Sequence, residues 1–234
     1  MDAMKTSGAP TYLPTTRAIR DAFDEEIAAL GGAVRDAWDD GARLFLRGVL
    51  PPAADVRPGD PVQGGVAVRV VGGEILVHPY TFRQVCTNGA IRAFALETRR
   101  VARGENGYEG AVAIAAFADA VRACAAPSAF ARGVEEMRTA AESEADYALM
   151  LMPMLARMDR ESARRLAEQV VARFEAGPAP DRSAYGLLNA VTSVARDTRD
   201  PEARWRLEEL GGGMPALLPR RPRAAPAAAA LAGV

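Results

Sequence analysis

The sequence predicts an α+β fold, with a small antiparallel sheet over about residues 43–100 packed by an N-terminal helix and a C-terminal set of helices. Short runs in the first half of the chain alternate apolar and polar residues, which is the period of a β-strand. Gly72 and Gly73 lie between two such runs and predict a two-residue hairpin turn. Beyond about Asn106, apolar residues recur every three or four positions, as they do in amphipathic helices.

The chain divides into three predicted segments. Residues 1–15 form a flexible leader, residues 16–218 a single α+β domain, and residues 219–234 a disordered basic tail rich in proline and alanine. With 234 residues, 49% of them hydrophobic and 25% charged, the chain is long enough to bury one substantial core. No apolar run approaches the roughly 20 residues that span a bilayer, and the first residues lack a signal peptide. We therefore expect a cytoplasmic protein with no membrane partner.

The N-terminal part is predicted as helix, strand and hairpin. A helical pattern runs from residue 16 to 38, and its interruption at Gly31 and Gly32 indicates one helix or two. Three strands are predicted over residues 43–50, 66–71 and 74–77. Pro51 and Pro52 are expected to end the first strand, residues 55–65 to form a turn-rich connection, and His78 with Pro79 to end the third strand.

Two features between the hairpin and the helices bear on the fold. Asn88 and Gly89 form a pair that readily takes positive φ, so we expect a tight reversal that passes the chain from the sheet to the helical layer. Residues 90–103 fit a strand with Arg92, Phe94 and Leu96 on one side, whereas a helix would have no clean apolar stripe. We favour a strand for the first half of this stretch and a loop over residues 104–110.

The C-terminal helices are predicted from apolar stripes and end signals. Ser128, Asp159 and Asp200 are expected to cap three of them, because short polar side chains accept hydrogen bonds from free backbone amides. Residues 147–158 contain four methionines at a spacing typical of a buried helix. Residues 177–180 hold glycine and prolines that should break the helical run, and residues 211–213 are three glycines that should end the last helix.

Charge is distributed unevenly along the chain. The net charge is −1, yet residues 43–103 carry nine arginines against four acids, a net of +5. Lys5 is the only lysine among the 29 basic residues. Because the planar guanidinium suits phosphate and stacks on bases, this basic segment is typical of a nucleic-acid footprint. The alternative is that an alanine-rich chain uses arginine for every surface cation.

No catalytic or metal-binding constellation is visible in the sequence. His78 is the single histidine, and Cys86 and Cys124 are the only cysteines, without a CxxC or Cys/His cluster. The glycine-rich segments lack the patterns that cradle nucleotide phosphates. We therefore expect no metal and no cofactor. A nucleophile and base pair of Cys86 with His78 is one interpretation, and a strand-end histidine with a buried cysteine is the other.

Parts of the chain resemble a known family. The residues Arg83-Gln84-Val85-Cys86-Thr87-Asn88-Gly89 resemble the Arg-x-Val-Cys-x-Asn-Gly core of the phage/plasmid-like proteins called domain of unknown function 932. Residues 56–66 and 185–192 are similar to further parts of that family, so the resemblance spans about residues 40–212. The chain departs from the family pattern in a shorter segment over residues 69–74. The resemblance implies a gene of mobile elements or prophages without an assigned reaction, and it singles out Arg83, Cys86, Asn88 and Gly89.

Three functions are compatible with these observations. The first is a non-catalytic DNA-associated protein of mobile-element type that binds single-stranded DNA, in recombination or strand annealing, with a homo-oligomer left open. Its arginines would contact phosphate and its aromatic rings would stack on bases. The expected contact residues are Arg69, Arg83, Arg92, Arg99, Arg100 and Arg103, with Tyr80 and Phe82. The second is a protein–protein interaction module acting on a host or phage complex. The third is an enzyme centred on Cys86.

Overall fold

A computed structural model of the chain describes residues 14–84, 87–93, 95–101, 110–156, 158–176 and 179–218. Most of the predicted leader and of the predicted loop over residues 104–110, and the predicted tail from Pro219, lie outside the described residues. Within them, the predicted α+β class is confirmed. An N-terminal helix precedes an antiparallel sheet, and the C-terminal helices pack on that sheet.

The sheet has six strands within the described residues. These are β1 (Ala33–Asp39), β2 (Leu44–Asp55), β3 (Pro61–Val71), β4 (Glu74–Arg83), β5 (Asn88–Ile91) and β6 (Arg99–Val101). Strands β1 to β5 pair in chain order, each antiparallel to the next. β6 pairs with the first half of β4 and β5 with the second half, so β5 and β6 share one side of this long strand.

Seven α-helices are described. They are α1 (Thr16–Ala29), α2 (Gly110–Cys124), α3 (Pro127–Ala141), α4 (Tyr147–Leu155), α5 (Arg160–Phe174), α6 (Ala184–Asp197) and α7 (Pro201–Gly213), and a 3₁₀ turn (Met214–Leu217) follows. α1 and α2 cover one face of the sheet, which we call the α1–α2 face, and Phe23 and Phe117 are fully buried there. The opposite face, which we call the α7 face, packs Phe45 and Ala67 against Trp205 of α7. A third core joins α3, α5 and α6 around buried Val191.

The prediction of helix for residues 33–38 is wrong, because these residues form β1. α1 ends at Ala29, and Gly31 then takes a φ of 72°, which glycine adopts without strain. A side chain on Gly32 would overlap the carbonyl oxygen of Val49, so the chain passes close to β2 at this point. Pairing with β2 therefore decides the structure of this segment, against its helical spacing of apolar residues.

Two strands run further than their prolines predict. β2 continues through Pro51 and Pro52 to Asp55, and the ladder to β3 is irregular between Val49 and Ala53, so no amide hydrogen is required there. β4 continues through His78 and Pro79 to Arg83. The Pro79 carbonyl accepts a hydrogen bond from the Arg92 amide. The Pro79 nitrogen points to the same side of the strand as this carbonyl, where the ladder is interrupted between β5 and β6. The predicted connection over residues 55–65 is therefore shorter in the structure, because β2 ends at Asp55 and β3 begins at Pro61.

The predicted reversal at Asn88 and Gly89 is also wrong. Both residues are buried in β5, opposite Arg83 and Phe82. The reversal lies just before them, at Thr87, which takes a φ of 52°. Gly89 is required for a different reason: a Cβ at this position would overlap the Tyr80 ring. The strand predicted for the first half of residues 90–103 ends at Ile91, and the chain turns before β6.

Helix capping follows the sequence at two of three positions. The Asp159 side chain accepts a hydrogen bond from the Ser162 amide at 2.9 Å, and the Asp200 side chain accepts one from the Ala203 amide at 2.7 Å. The prediction of Ser128 as a cap is wrong, because Pro127 already begins α3. α7 ends at Gly213, the last of the three glycines predicted to end it, and Gly212 packs directly on the backbone of Ile91.

Candidate nucleic-acid interface

Three of the predicted phosphate contacts form internal ion pairs. Arg69 on β3 donates to Glu202 of α7 at 2.7 Å. Arg83 at the end of β4 donates to both carboxylate oxygens of Asp60, at 2.6 and 2.8 Å. Arg92 is 5% exposed and donates to Glu136 and to the Ala129 carbonyl, both at 2.8 Å. These guanidinium groups hold strands to loops and helices, and they do not add to an exposed basic surface.

The two predicted base-stacking residues are buried. Tyr80 is 4% exposed beneath α7, and burial raises the pKa of its hydroxyl far above the usual value. Phe82 is 7% exposed on the same face, nearer the end of β4. The Tyr80 ring is thus part of the core of the α7 face. The Phe82 ring lies at the margin of that core, where Arg35 covers it.

Arg99 and Arg100 remain at the surface. They lie on the short outer strand β6, and neighbouring residues of a strand point to opposite faces. The Arg99 guanidinium donates to the carbonyls of Leu96 and Thr98 and has no acidic partner among the described residues. Arg100 pairs with Glu74 at 2.8 Å, and its side chain is 66% exposed. Arg103 and Cys86, the remaining predicted residues, lie outside the described residues.

A layer of ion pairs joins the α7 face to α7, beside the apolar contacts of Trp205. Arg47 is 1% exposed and donates to Glu208 at 2.7 Å and to Asp36 at 3.1 Å. Arg204 of α7 also pairs with Asp36, at 2.8 Å. The ion pair between Arg69 and Glu202 closes one end of this layer. Because Arg47, Arg69 and Arg204 in this layer pair with acids of α7 and β1, a nucleic acid has no access to them while α7 is in place.

His78 lies in the same layer, under Trp205. Thr98 donates its hydroxyl hydrogen to the Arg92 carbonyl, so it accepts from the His78 Nδ1 at 3.1 Å. The His78 Nε2 then lies 3.7 Å from the Glu209 Oε1. Burial, with the nearby charge of Arg69, lowers the pKa of His78 to about 4. The single histidine is therefore a neutral side chain that bonds β4 to the loop before β6 and packs against Trp205 of α7.

The described residues of the Arg-x-Val-Cys-x-Asn-Gly motif anchor the β4–β5 hairpin to the helices. The Asn88 amide donates to the Thr192 hydroxyl of α6 at 2.6 Å. Gly89 has no side chain and therefore leaves room for the Tyr80 ring. Arg83 holds the turn that contains Asp60 through its ion pair with that residue. Within this part of the motif, each residue has a structural explanation in this fold.

One exposed arginine was missed by the sequence analysis. Arg35 on β1 lies with its guanidinium carbon 5.2 Å from the centroid of the Phe82 ring. It falls before the basic segment 43–103, within a stretch that the apolar spacing assigns to a helix. The only signal that could have pointed to it is its position in an edge strand, and that strand was not predicted.

Comparison of the chain with protein-family models, curated proteins and solved structures gives no significant match. The resemblance to domain of unknown function 932 therefore stays a prediction. Among the described residues, no group of three histidine, cysteine, aspartate or glutamate side chains is arranged to hold a metal ion. No single described helix is long and apolar enough to cross a bilayer, although α2 and α3, bent by 45° at their junction, reach that length and composition together.

Proposed function

We propose that the protein binds single-stranded DNA, with Arg99 and Arg100 of β6 as phosphate contacts. The observation that carries the proposal is their exposure on an outer strand, in contrast to the buried or internally paired arginines of the same basic segment. A surface pair such as Arg100 with Glu74 contributes only about 0–1 kcal/mol, so phosphate can replace the carboxylate. The adjoining Leu96 is 83% exposed and offers an apolar contact beside the two cations.

The ion pairs beneath α7 limit which arginines a DNA strand can contact. The chain carries a net charge of −1, and most of the excess positive charge of residues 43–103 is balanced by acids outside that segment, namely Glu202 and Glu208 of α7, Glu136 of α3, Asp40 and Asp181. Binding would therefore depend on a small number of exposed guanidinium groups. We expect moderate affinity with a shallow salt dependence, because each phosphate contact contributes separately to counterion release.

A matched pair of charge reversals tests the assignment. Arg99→Glu with Arg100→Glu removes two proposed contacts. Arg164→Glu with Arg165→Glu makes the same charge change on α5, where both arginines are exposed in pairs with glutamates. We expect the first variant to bind a labelled 20-nucleotide oligo(dT) at least about tenfold more weakly, and the second to bind within about twofold of the unmodified protein. Equal loss in both variants would show a general charge effect and overturn the assignment to β6.

A protein–protein function is the second candidate, and one observation favours it. Leu149 and Met152 on α4 are 40% and 54% exposed, and Met158 just after the helix is 37% exposed. Neighbouring exposed apolar side chains often mark a protein contact. If this surface joins copies of the chain, Leu149→Asp with Met152→Asp will lower the molar mass measured by light scattering. An unchanged monomeric mass would remove self-association through α4.

The mobile-element origin, and a role in recombination or annealing, rest on the resemblance alone and stay predictions. The enzyme hypothesis also stays a prediction, because Cys86 lies outside the described residues. It requires that Cys86→Ala abolish an activity without loss of fold.

A further inference from the structure

The contact between Arg35 and Phe82 lies at the margin of the core of the α7 face. Phe82 is flanked in the ladder by Gln63 on β3 and by Gly89 on β5, so no large neighbouring side chain from β5 covers the ring. Arg35 falls at the irregular register between Val34 and Asp36 of β1, and its guanidinium carbon lies 5.2 Å from the centroid of the Phe82 ring. The guanidinium covers the ring, while Arg35 itself is exposed.

Arg35 differs from every other arginine that stacks on an aromatic ring in the described part of the chain. Six such contacts are present, and the other five arginines each pair with an acid. These pairs are Arg43 with Asp40, Arg47 with Glu208, Arg57 with Asp181, Arg83 with Asp60 and Arg182 with Glu175. Arg35 has no acidic partner among the described residues. Its charge and its outer face are therefore both available to a ligand.

We propose that the stack of Arg35 on Phe82 is a base-contact position, at which a nucleobase of the bound strand stacks on the outer face of the guanidinium. A guanidinium stacks on bases as well as on aromatic rings, and the contact with Phe82 places the Arg35 guanidinium over this ring before binding. The ligand class is thus a planar nucleobase in an unpaired strand, because a base within a duplex does not expose its face. This inference rests on the proposed single-strand binding and assigns it a base contact separate from the phosphate contacts.

The two positions lie near the two ends of β4, and a DNA strand that reaches both must pass around α7, which covers His78 and Tyr80 between them. Arg100 pairs in the ladder with Leu76 of β4, and Phe82 lies six residues further along the same strand. At about 3.4 Å per residue, the two positions are separated by about 20 Å along β4. A footprint of about 4–16 nucleotides, typical of single-strand binding folds, covers this distance.

The test compares two probes that carry the same phosphates. One is a labelled 20-nucleotide oligo(dT), and the other is its abasic analogue, which has the sugar–phosphate chain without bases. Arg35→Ala removes the stacking plane, and Arg35→Lys keeps the charge and removes only the plane. We expect both variants to bind oligo(dT) about tenfold more weakly, within the range for loss of one stacked base, and to bind the abasic probe within about twofold of the unmodified protein.

Two controls separate this inference from the proposed function. Arg43→Ala removes the comparable stack on Trp38, whose guanidinium is already held by Asp40 at 2.9 and 2.8 Å, and it should leave binding of both probes unchanged. The variant Arg99→Glu with Arg100→Glu should weaken the binding of both probes equally, because it removes phosphate contacts. Thermal melting of each variant checks that the fold is retained.

Each remaining outcome overturns a defined statement. If Arg35→Lys binds oligo(dT) like the unmodified protein, or if Arg35→Ala weakens both probes equally, Arg35 contacts phosphate and the base contact is wrong. If neither variant changes binding, the stack serves the fold alone. If the unmodified protein binds neither probe at low salt, the proposed function fails, and the base contact fails with it.

Discussion

His78 and Glu209 face each other across the contact between β4 and α7, with the His78 Nε2 3.7 Å from the Glu209 Oε1. The His78 side chain is buried and the Glu209 side chain is 30% exposed, and burial acts on their two pKa values in opposite directions. It lowers the pKa of His78 to about 4 and raises the pKa of Glu209 above its usual value. Burial, with the nearby charge of Arg69, therefore keeps the imidazole neutral, and we expect the attachment of α7 to the sheet to depend on pH.

We predict that the folded state loses stability as the pH falls from about 6.5 towards 4. The unfolded chain takes up the imidazole proton near pKa 6.5, whereas the folded protein takes it up near 4. Between these values the unfolded state binds more protons, so acidification favours it, by about 2 kcal/mol at pH 5. The raised pKa of Glu209 acts in the opposite direction and offsets part of this loss.

Urea unfolding at pH 7 and pH 5, compared between the unmodified protein and His78→Gln, measures this contribution. The variant keeps an amide that can bond to Thr98 and should lose the histidine part of the pH dependence. Because the chain has one histidine, its imidazole NMR signal is unambiguous and should remain that of the neutral ring down to pH 5. A midpoint near 6.5 in the folded protein would contradict the placement of His78.

The buried pair of Arg47 and Glu208 gives a second prediction. Both side chains are 2% exposed, and removing one leaves a buried charge without its main partner. We expect Glu208→Ala to lower the free energy of unfolding by about 3–5 kcal/mol, measured by urea unfolding. The control Glu161→Ala breaks a surface pair with Arg165 and should cost less than about 1 kcal/mol. Similar small losses in both variants would mean that Arg47 is not held as described.

A third prediction concerns the contact of Asn88 with Thr192. The Asn88 amide nitrogen donates to the Thr192 hydroxyl at 2.6 Å, between β5 and α6. We expect Asn88→Ala and Thr192→Val each to cost about 1–2 kcal/mol of stability, with a coupling of at least about 0.5 kcal/mol in the double-mutant cycle. Additive losses would mean that the two side chains do not interact, and they would weaken the structural explanation of Asn88 in the motif.

Cys124 provides a fourth prediction, because its thiol is buried and donates to the Glu97 carbonyl at 3.0 Å. Burial raises the pKa of this thiol to about 12, so almost no thiolate exists near neutral pH. In a Cys86→Ser background, Cys124 should not react with a thiol reagent at pH 8 until the protein is unfolded. Rapid labelling of the folded variant would show that α2 does not cover the sheet as described.

Local chemistry made part of the fold predictable. The hairpin at Gly72 and Gly73 and the caps at Asp159 and Asp200 depend on residues close together in sequence, and all were predicted correctly. β1 was not predicted, because its pairing with β2 overrides the helical spacing of its apolar residues. The extension of β4 past Pro79 was missed for a similar reason, since a gap between β5 and β6 accommodates the proline.

The site was less predictable than the fold, because ion pairing is non-local. Arg47 and Glu208 are 161 residues apart, and Arg69 and Glu202 are 133 residues apart. The sequence shows the basic segment, and only the packing of α7 shows that much of its charge is neutralised. Arg35 could not be singled out, since its importance depends on a ring from β4 that reaches it only in the folded sheet.

Fluorescence anisotropy of the unmodified protein with a labelled 20-nucleotide oligo(dT), alongside a duplex of the same length and over a series of salt concentrations, tests the proposed single-strand binding. We expect binding that prefers the single strand and weakens with salt. The log–log slope should become about 1.4 shallower when Arg99 and Arg100 are both changed to Glu, as expected for two lost phosphate contacts. No binding of the single strand at low salt, or a slope that the reversal leaves unchanged, would contradict this proposal.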